Sequence, residues 1–365
     1  AVASSRSPTM FARGVGRACG IVNSVAPNRT LPASDYQGVE AHHLEREAVF
    51  GTSWLCMGTA SHLADSGSFM SEVVAGYPLV LTRDTDGHLR AFANVCAHRA
   101  GPLVEDDDHG TCRSLVCRYH GWNYALDGEL LSARDSGMDL AATSVSLPEY
   151  SAAEWRGLLF VNLGADPPPL ESWLEPGFVE ACEPYPIQAW TPTRRLDHDI
   201  AANWKTYSDN YLEGYHIPYV HPALARAIDV GSYRVESGGR WARHHAKARE
   251  GSTAIGAWMW HWPNLALNLY EHGGSIERWW PTGPSTCRIR LDFAFEDTSA
   301  DAMKRNSADI DASRVICAED KKICERVQRN LESGAYEDGL LVARHEAALV
   351  DFQDLVRSAV ADCRS

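Results

Sequence analysis

Two short segments of the chain each pair one cysteine with one histidine. Cys96-Ala-His98 is followed, after eighteen residues, by Cys117-Arg-Tyr-His120, so two loops supply two thiolates and two imidazoles. Such a set could hold zinc tetrahedrally, but zinc-finger spacing groups cysteine with cysteine and histidine with histidine. A [2Fe–2S] cluster with two cysteines on one iron and two histidines on the other takes one of each from every loop. The spacing therefore favours the cluster, with zinc as the alternative.

Glycines follow both segments at similar positions. Gly101-Pro102 and Gly121-Trp122 suit tight loops, in which backbone N–H groups can hydrogen-bond the inorganic sulfides. Cys112 lies between the two loops without such a pattern, and we interpret it as a structural residue.

Residues 203–222 form a second dense stretch, which contains Glu213, His216 and His221. Two histidines five apart would point about 140° apart on a regular helix, at about 100° per residue. Pro218 between them is expected to disrupt the helix, so that both imidazoles can reach one point. An iron that activates oxygen typically binds two histidines and one carboxylate, and the carboxylate must come from elsewhere in the chain.

Asp320 is the predicted third ligand. The sequence predicts a helix over about residues 312–333, with an apolar stripe of four residues: Ile316, Ile323, Val327 and Leu331. Asp320 occupies the inward position between the first two, where an unpaired carboxylate is costly and a metal removes that cost. Three other aspartates are fallback candidates: Asp338, Asp351 and Asp354.

Both stretches resemble those of the Rieske non-haem iron oxygenases. Cys-Ala-His-Arg-Ala-Gly and Cys-Arg-Tyr-His-Gly-Trp are close to the family's full cluster motif, and residues 203–222 resemble its iron-binding segment along their whole length. The resemblance covers roughly residues 30–360. It implies a Rieske [2Fe–2S] domain followed by a helix-grip catalytic domain with an antiparallel sheet and mononuclear Fe(II).

The resemblance also gives Glu213 a role and the chain its partners. The family carries a carboxylate at this position, usually aspartate, which bridges from an iron-ligand histidine to a cluster-ligand histidine of the neighbouring subunit. The alternative is a solvated glutamate on a helix surface. A homotrimer is implied, with electrons from a separate NAD(P)H-dependent reductase or ferredoxin. The chain shows no G-x-G-x-x-G fingerprint of its own.

The substrate is indicated by the same segment and by a cluster of aromatic residues. Residues 209–222 most resemble the choline monooxygenase and quaternary-amine demethylase branch, rather than the naphthalene or biphenyl dioxygenases. The candidate substrate contacts are Trp258, Trp260, Trp262, Tyr270 and Asn210. The aromatic rings could hold a trimethylammonium group through cation–π attraction, or they could simply be core residues.

The predicted activity is therefore monooxygenation of a small amine such as choline, betaine or carnitine, by hydroxylation or N-demethylation. One alternative is an aromatic ring-hydroxylating dioxygenase. Another is a Rieske electron-transfer protein without oxygenase chemistry.

More than one domain is expected to position these residues, because 365 residues are more than a single hydrophobic core usually accommodates. Residues 35–165 read as short strands between turns, as in residues 78–83 and 122–126. The proline cluster at residues 167–169 marks a boundary. Residues 166–365 mix strands, such as residues 286–295, with helices, which makes the predicted fold class α+β.

Charge and composition narrow the partners and the location. A net charge of -14 argues against nucleic acid, and no apolar run approaches the roughly 20 residues of a membrane span. Scattered cysteines favour a reducing, cytoplasmic setting. Residues 1–34 contain four arginines and no acid, so they are predicted to be a tail or, alternatively, a transit peptide for a plastid or mitochondrion.

Overall fold

The structure, a computed structural model, describes residues 28–137, 139–140, 144–250 and 256–364. No helix in these ranges is long and apolar enough to cross a membrane. The first half is almost entirely β, the second half mixes strands with helices, and the predicted α+β class is confirmed.

Ten strands make up the first half. They are β1 Trp54–Thr59, β2 Ser68–Val74, β3 Tyr77–Arg83, β4 Leu89–Ala93, β5 His109–Thr111, β6 Leu115–Val116, β7 Asn123–Tyr124, β8 Leu130–Ser132, β9 Glu149–Trp155 and β10 Leu158–Asn162. Seven of them form an antiparallel sheet in the order β1-β10-β9-β4-β3-β2-β5, and β6-β7-β8 form a smaller one. The strand predicted over residues 122–126 is only two residues long, because the cluster loop ends at its first residues.

Local sequence explains the tight hairpins of the larger sheet. Ala75-Gly76 joins β2 to β3 and Arg156-Gly157 joins β9 to β10, and all four residues have positive φ. Two-residue turns of this kind match the right-handed twist of the flanking strands. They fix the register of the sheet that supports the cluster loops.

The second half contains a seven-stranded antiparallel sheet and most of the helices. The strands are β11 Thr191–Ile200, β12 Ile228–Ser237, β13 Trp241–Ala248, β14 Ala257–His261, β15 Leu265–Tyr270, β16 Gly273–Gly283 and β17 Thr286–Phe295, in the order β11-β17-β16-β15-β14-β13-β12. The helices of the chain are α1 Val39–Glu45, α2 Leu170–Leu174, α3 Pro176–Cys182, α4 Trp204–Tyr211, α5 Ile217–Val220, α6 Pro222–Ala227, α7 Ala302–Glu332 and α8 Ala347–Arg364. Short 3-10 or π turns occur at Ala33–Tyr36, Arg46–Phe50, Ala60–Leu63 and Ile187–Ala189.

Helix α7 differs from its predicted form in length and in its inner face. It begins at Ala302, ten residues before the predicted start. Its buried residues after the first turns are Cys317, Asp320, Cys324, Gln328 and Leu331, whereas Val327 is 40% exposed. The buried face is therefore shifted by about one residue from the predicted stripe, and it combines core residues with side chains that contact the backbone of α4 and its N-cap. Cys324 contacts the carbonyl of Thr206, and Gln328 accepts a hydrogen bond from the N–H of Asn203.

The segment before β1 packs against the second half of the chain. The Leu31 N–H donates to Gln353 of α8 at 2.8 Å, and the Tyr36 hydroxyl donates to Asp209 of α4 at 2.5 Å. Glu45 then pairs with the fully buried Lys205 of α4 at 2.5 Å. Residues 1–27 of the predicted tail lie outside the described residues, and the domain limits 1–34, 35–165 and 166–365 stay predictions.

A buried ion network joins the two large sheets. Glu72 of β2 accepts hydrogen bonds from Arg278 of β16 at 2.8 Å and from Arg290 of β17 at 2.7 Å. Both arginines are at most 2% exposed, and such a buried network is costly to break because one charge would be left unpaired. The network fixes the cluster-bearing half against the catalytic sheet.

Candidate active site

The two Cys–His loops have the same backbone geometry. The N–H groups of Cys96 and Cys117 each donate to the carbonyl five residues later, both at 2.8 Å. Four residues after each cysteine the backbone φ is positive, 54° at Ala100 and 74° at Gly121. The loops therefore fold as two equivalent halves of one site.

The cysteines of these loops point inward and the histidines outward. Cys96 is 3% and Cys117 1% exposed, whereas His98 and His120 are exposed, with ring centroids 4.5 Å apart. A Cβ at Gly101 would lie 2.9 Å from the Cys117 sulfur, so glycine is needed for the close approach of the loops. This donor set fits a two-iron cluster with its cysteine-bound iron inside and its histidine-bound iron at the surface.

A second set of ligand atoms converges between α5, α6 and α7. The Nε2 atoms of His216 and His221 lie 3.1 Å apart, and an Asp320 carboxylate oxygen lies 3.8 Å and 2.9 Å from them. These atoms all lie within 4.8 Å of one another. Two imidazoles and one carboxylate on one side of a point match the donor set that iron uses when it activates oxygen, so the residues fit a mononuclear iron.

The chain brings the two histidines together by a different route from the predicted one. His216 precedes the one-turn helix α5 and His221 ends it, with non-helical φ and ψ of -116° and 75°. Pro218 lies in the first turn of α5, where proline is tolerated. The expected disruption by Pro218 is therefore wrong. The chain breaks at His221, before Pro222 begins α6.

Each histidine has a carboxylate on its other ring nitrogen. The Nδ1 atom of His216 lies 2.5 Å from Glu213, and the Nδ1 atom of His221 lies 2.8 Å from Glu319. Such partners fix the ring orientation and the tautomer, so that Nε2 is free for the metal. Asn210 donates to the ligand oxygen of Asp320 at 2.7 Å and restrains that side chain in the same way.

Glu213 is not a solvated surface residue. Its side chain is 10% exposed, and its second oxygen accepts hydrogen bonds from the N–H groups of Tyr215 and His216. The neighbouring acid Asp209 is enclosed between Tyr36 and Gln353, and burial raises its pKa to about 6. Only Glu213 of the two touches a metal-site histidine.

A cavity of about 140 Å³ opens beside the His216, His221 and Asp320 side chains. Five aromatic residues line it: Tyr207, Tyr211, Tyr233, Trp258 and Tyr270. Their polar atoms are paired with one another or with neighbours, as in the 3.1 Å bond from the Trp258 indole N–H to the Tyr270 hydroxyl. Of the predicted substrate contacts, Trp258, Tyr270 and Asn210 line this cavity.

Trp260 and Trp262 do not line the cavity, which corrects their assignment as substrate contacts. Trp260 lies on the same strand face as Trp258, but about 7 Å further along β14. There it packs edge-on against Trp262 and Phe352 in the core, and Trp262 donates to Ser53. For these two residues the alternative of core aromatics is correct.

The fallback aspartates lie elsewhere and have other partners. Asp338 pairs with Arg29, Asp351 accepts a hydrogen bond from Ser237, and Asp354 pairs with Arg357. None of the three belongs to the converging set.

Comparison with known proteins agrees with both halves of this arrangement. Residues 53–145 match the Rieske [2Fe–2S] domain family, and residues 187–362 match the catalytic domain of the ring hydroxylating alpha subunit family. The carnitine monooxygenase oxygenase subunit of Escherichia coli K12 is 30% identical over 326 residues, which cover 84% of this chain and 85% of that protein. The chain belongs to the Rieske non-haem iron oxygenases.

Other relatives of this Rieske oxygenase act as further points of comparison. The chloroplastic choline monooxygenase of Arabidopsis thaliana is 28% identical over 85% of this chain and 78% of its own length. A crystal structure of the quaternary ammonium Rieske monooxygenase CntA with L-carnitine superposes with a TM-score of 0.80 and 27% identity, covering 91% of this chain and 96% of that one. Naphthalene 1,2-dioxygenase, at 17% identity and a TM-score of 0.76, shares the fold.

Membership of the family establishes the cofactors. The enzyme is an oxidoreductase that carries a Rieske [2Fe–2S] cluster and a mononuclear iron. The zinc alternative and the alternative of an electron carrier without oxygenase chemistry are both wrong.

Substitution of a cluster-loop residue should remove the cluster alone. In Cys96→Ser or His120→Ala we expect loss of the cluster's visible absorption, with mononuclear iron retained, because the two sets of ligands lie in different sheets and loops. Absorption spectra measure the cluster, and iron analysis measures the mononuclear iron that remains. Cys112→Ser is the matched control, since Cys112 is half-buried between the loops and should keep a normal spectrum. A normal cluster spectrum in His120→Ala would contradict the assignment of the second loop.

Sequence reasoning missed two acids of this site, Glu319 and Glu277. Glu319 directly precedes Asp320, and adjacent acids on a helix gave no sign that one faces a ligand histidine. Glu277 is 3% exposed in the buried strand β16 and lines the cavity. The run Ser-Ile-Glu-Arg-Trp-Trp did contain a signal, because a glutamate is seldom buried in a strand without a specific partner or role.

Proposed function

We propose that this Rieske oxygenase is the terminal component of a monooxygenase acting on a small quaternary or methylated amine, such as choline, betaine or carnitine. The observation that carries the proposal is the position of His216, His221 and Asp320 at one end of a small aromatic cavity. Relatives named for choline and for carnitine support the same substrate class.

The size of the cavity favours a compact substrate. A cavity of about 150 Å³ holds a benzene molecule, so about 140 Å³ suits on the order of six to eight heavy atoms. Choline and betaine, with seven and eight heavy atoms, match this volume, whereas carnitine and a bicyclic hydrocarbon would both require the walls to move. Aromatic faces attract a methylated ammonium group. Because this group cannot donate conventional hydrogen bonds, it does not need a free hydrogen-bond acceptor in the cavity.

In this proposal His216, His221 and Asp320 hold the iron, which when bound supplies activation of O2 next to the substrate. Glu213 and Glu319 orient the two imidazoles, and Asn210 restrains the carboxylate. The aromatic walls position the substrate and keep water away from the reacting carbon.

Cys96, His98, Cys117 and His120 would hold the cluster, which when bound would supply electrons to the iron. The two histidines are exposed, so they are accessible to a second subunit. We propose a homotrimer in which the cluster of one subunit faces Glu213 of the next, and in which a separate NAD(P)H-dependent reductase or a ferredoxin reduces the cluster. None of the nine described cysteines forms a disulfide, which supports a reducing compartment, and we place the enzyme in the cytoplasm.

The reaction consumes O2, two electrons, two protons and one C–H bond, and it yields one C–OH group and one water. At an N-methyl carbon the product is a carbinolamine, whose C–N bond breaks to release formaldehyde and the tertiary amine. At the alcohol carbon of choline the product is a hydrated aldehyde, which loses water to give betaine aldehyde.

A single-turnover screen tests this function. The protein is reduced chemically, mixed with choline, betaine or carnitine and O2, and analysed for formaldehyde and aldehyde. We expect one of these products from at least one amine, at no more than one equivalent per iron site. A cis-diol from an aromatic acid, with no product from any amine, would overturn the proposal in favour of a ring-hydroxylating dioxygenase.

A further inference from the structure

Glu277 places a buried carboxylate in the wall of the substrate cavity. It accepts a hydrogen bond from the Tyr207 hydroxyl at 2.5 Å on one oxygen and from the Asn268 amide at 3.1 Å on the other. Its side chain reaches the cavity from β16, on the sheet side, whereas Asp320 reaches it from α7. The two acids therefore belong to opposite walls.

No positive side chain accompanies Glu277 in this cavity. Among the described residues that line it, none is lysine or arginine, although Glu213, Glu277 and Asp320 all do so. Burial raises the pKa of Glu277 to about 7, and the hydrogen bonds from Tyr207 and Asn268 offset this only in part. Elsewhere in the same sheet a buried acid has arginine partners, as Asp292 of β17 has Arg195 and Arg278.

A buried carboxylate with neutral hydrogen-bond donors and no basic partner is an incomplete ion pair. The missing partner must fit among aromatic rings and carry a positive charge. A methylated ammonium ion meets both requirements, because the rings attract its diffuse charge and the carboxylate balances it.

We propose that Glu277 is the counter-charge for the substrate ammonium group, and that the cavity selects a monocation such as choline over a zwitterion such as carnitine. A substrate that carries its own carboxylate would bring a second negative charge close to Glu277, and among the described residues that line the cavity no lysine or arginine would receive it. This inference rests on the proposed function and narrows it to one charge class.

Equilibrium binding to the oxidised holoenzyme tests the proposal without relying on turnover. The probes are choline, L-carnitine and 3,3-dimethyl-1-butanol, in which a neutral carbon replaces the nitrogen of choline. The attraction of the ammonium charge to Glu277 and to the aromatic faces is absent from the neutral isostere, so we expect choline to bind about ten- to hundredfold more tightly. Choline should also bind more tightly than L-carnitine.

Glu277→Gln should reduce the preference for choline over the isostere to the part that the aromatic rings supply, and it should leave the affinity for the isostere nearly unchanged. Glutamine keeps the size and the partners of the side chain but carries no charge. Glu271→Gln is the matched control, because Glu271 is exposed in the turn before β16 and lies outside the cavity. Glu277→Asp keeps the charge and should keep most of the preference, which covers the case in which the glutamine variant fails to fold.

The outcomes separate this inference from the function on which it rests. A choline-to-isostere ratio that is unchanged in Glu277→Gln, or carnitine binding as tight as choline binding in the wild type, overturns the inference while amine oxidation can still occur. Absence of both binding and turnover with every amine overturns the proposed function itself.

Discussion

Asp320→Ala is expected to lose its mononuclear iron and all oxygenase activity while keeping the [2Fe–2S] cluster. Asp320 is the only carboxylate among the three converging ligands, so its removal leaves two neutral imidazoles around a dication. Loss of a hydrogen-bonding partner behind a ligand typically costs about 10–100-fold in metal affinity, and loss of the charged ligand itself should cost more. Analysis should show three irons per two sulfides in the wild type and two per two in the variant.

Asp338→Ala and Asp351→Ala are the controls for this experiment. Both aspartates have partners away from the converging histidines, so each variant should keep three irons per two sulfides. Retained mononuclear iron in Asp320→Ala would mean that another acid completes the set, and Glu319 would then be the nearest one.

Glu213→Gln should leave both metal sites occupied and slow re-oxidation of the reduced cluster. Glutamine can still accept the backbone N–H bonds before α5, but it cannot carry charge or accept equally well from two imidazole N–H groups. We expect slowing on the order of a hundredfold, the scale on which loss of a proton-handling carboxylate acts. Rapid mixing of the reduced variant with substrate and O2 measures the rate, and substrate affinity should change little.

Glu319→Gln offers the same chemical change beside the other histidine ligand. Its partner is His221 and not His216, so its effect on iron binding should be similar to that of Glu213→Gln, but re-oxidation of the cluster should not slow comparably. Glu213→Asp tests reach, because it keeps the charge and removes one methylene. Wild-type re-oxidation in Glu213→Gln would remove the bridging role from Glu213. Asp209, the neighbouring acid on α4, would then be the next candidate, but it is held by Tyr36 and Gln353 and would have to break those bonds to take over the role.

The sequence predicted the ligand sets better than their surroundings. Cys96, His98 and their counterparts lie within short segments, so spacing alone indicates which donors share a site. Asp320 was found from its inward position on a helix, and that position holds although the stripe around it was displaced. Local patterns of this kind survive errors in the neighbouring structure.

The residues that line the cavity could not be predicted from their spacing in the sequence. Trp258 and Trp260 share a strand face and differ only in which end of the strand is covered by the core. Glu277 reaches the cavity because the pairing of β15 with β16 brings it close to Asn268. The register of this pairing is set by the whole sheet. The break at His221 rather than at Pro218 likewise follows from how α5 and α6 pack.

The attachment of residues 28–50 to α4 and α8 sets an order of assembly during synthesis. The bond between Leu31 and Gln353 joins residues 322 positions apart, so it cannot form until almost the whole chain has left the ribosome. At a synthesis rate of about 5–20 residues per second, Leu31 is made tens of seconds before its partner Gln353. The cluster loops, by contrast, need only contacts within the first half. The cluster loops can therefore fold and receive the iron–sulfur cluster before Leu31 and Tyr36 reach their partners on α8 and α4.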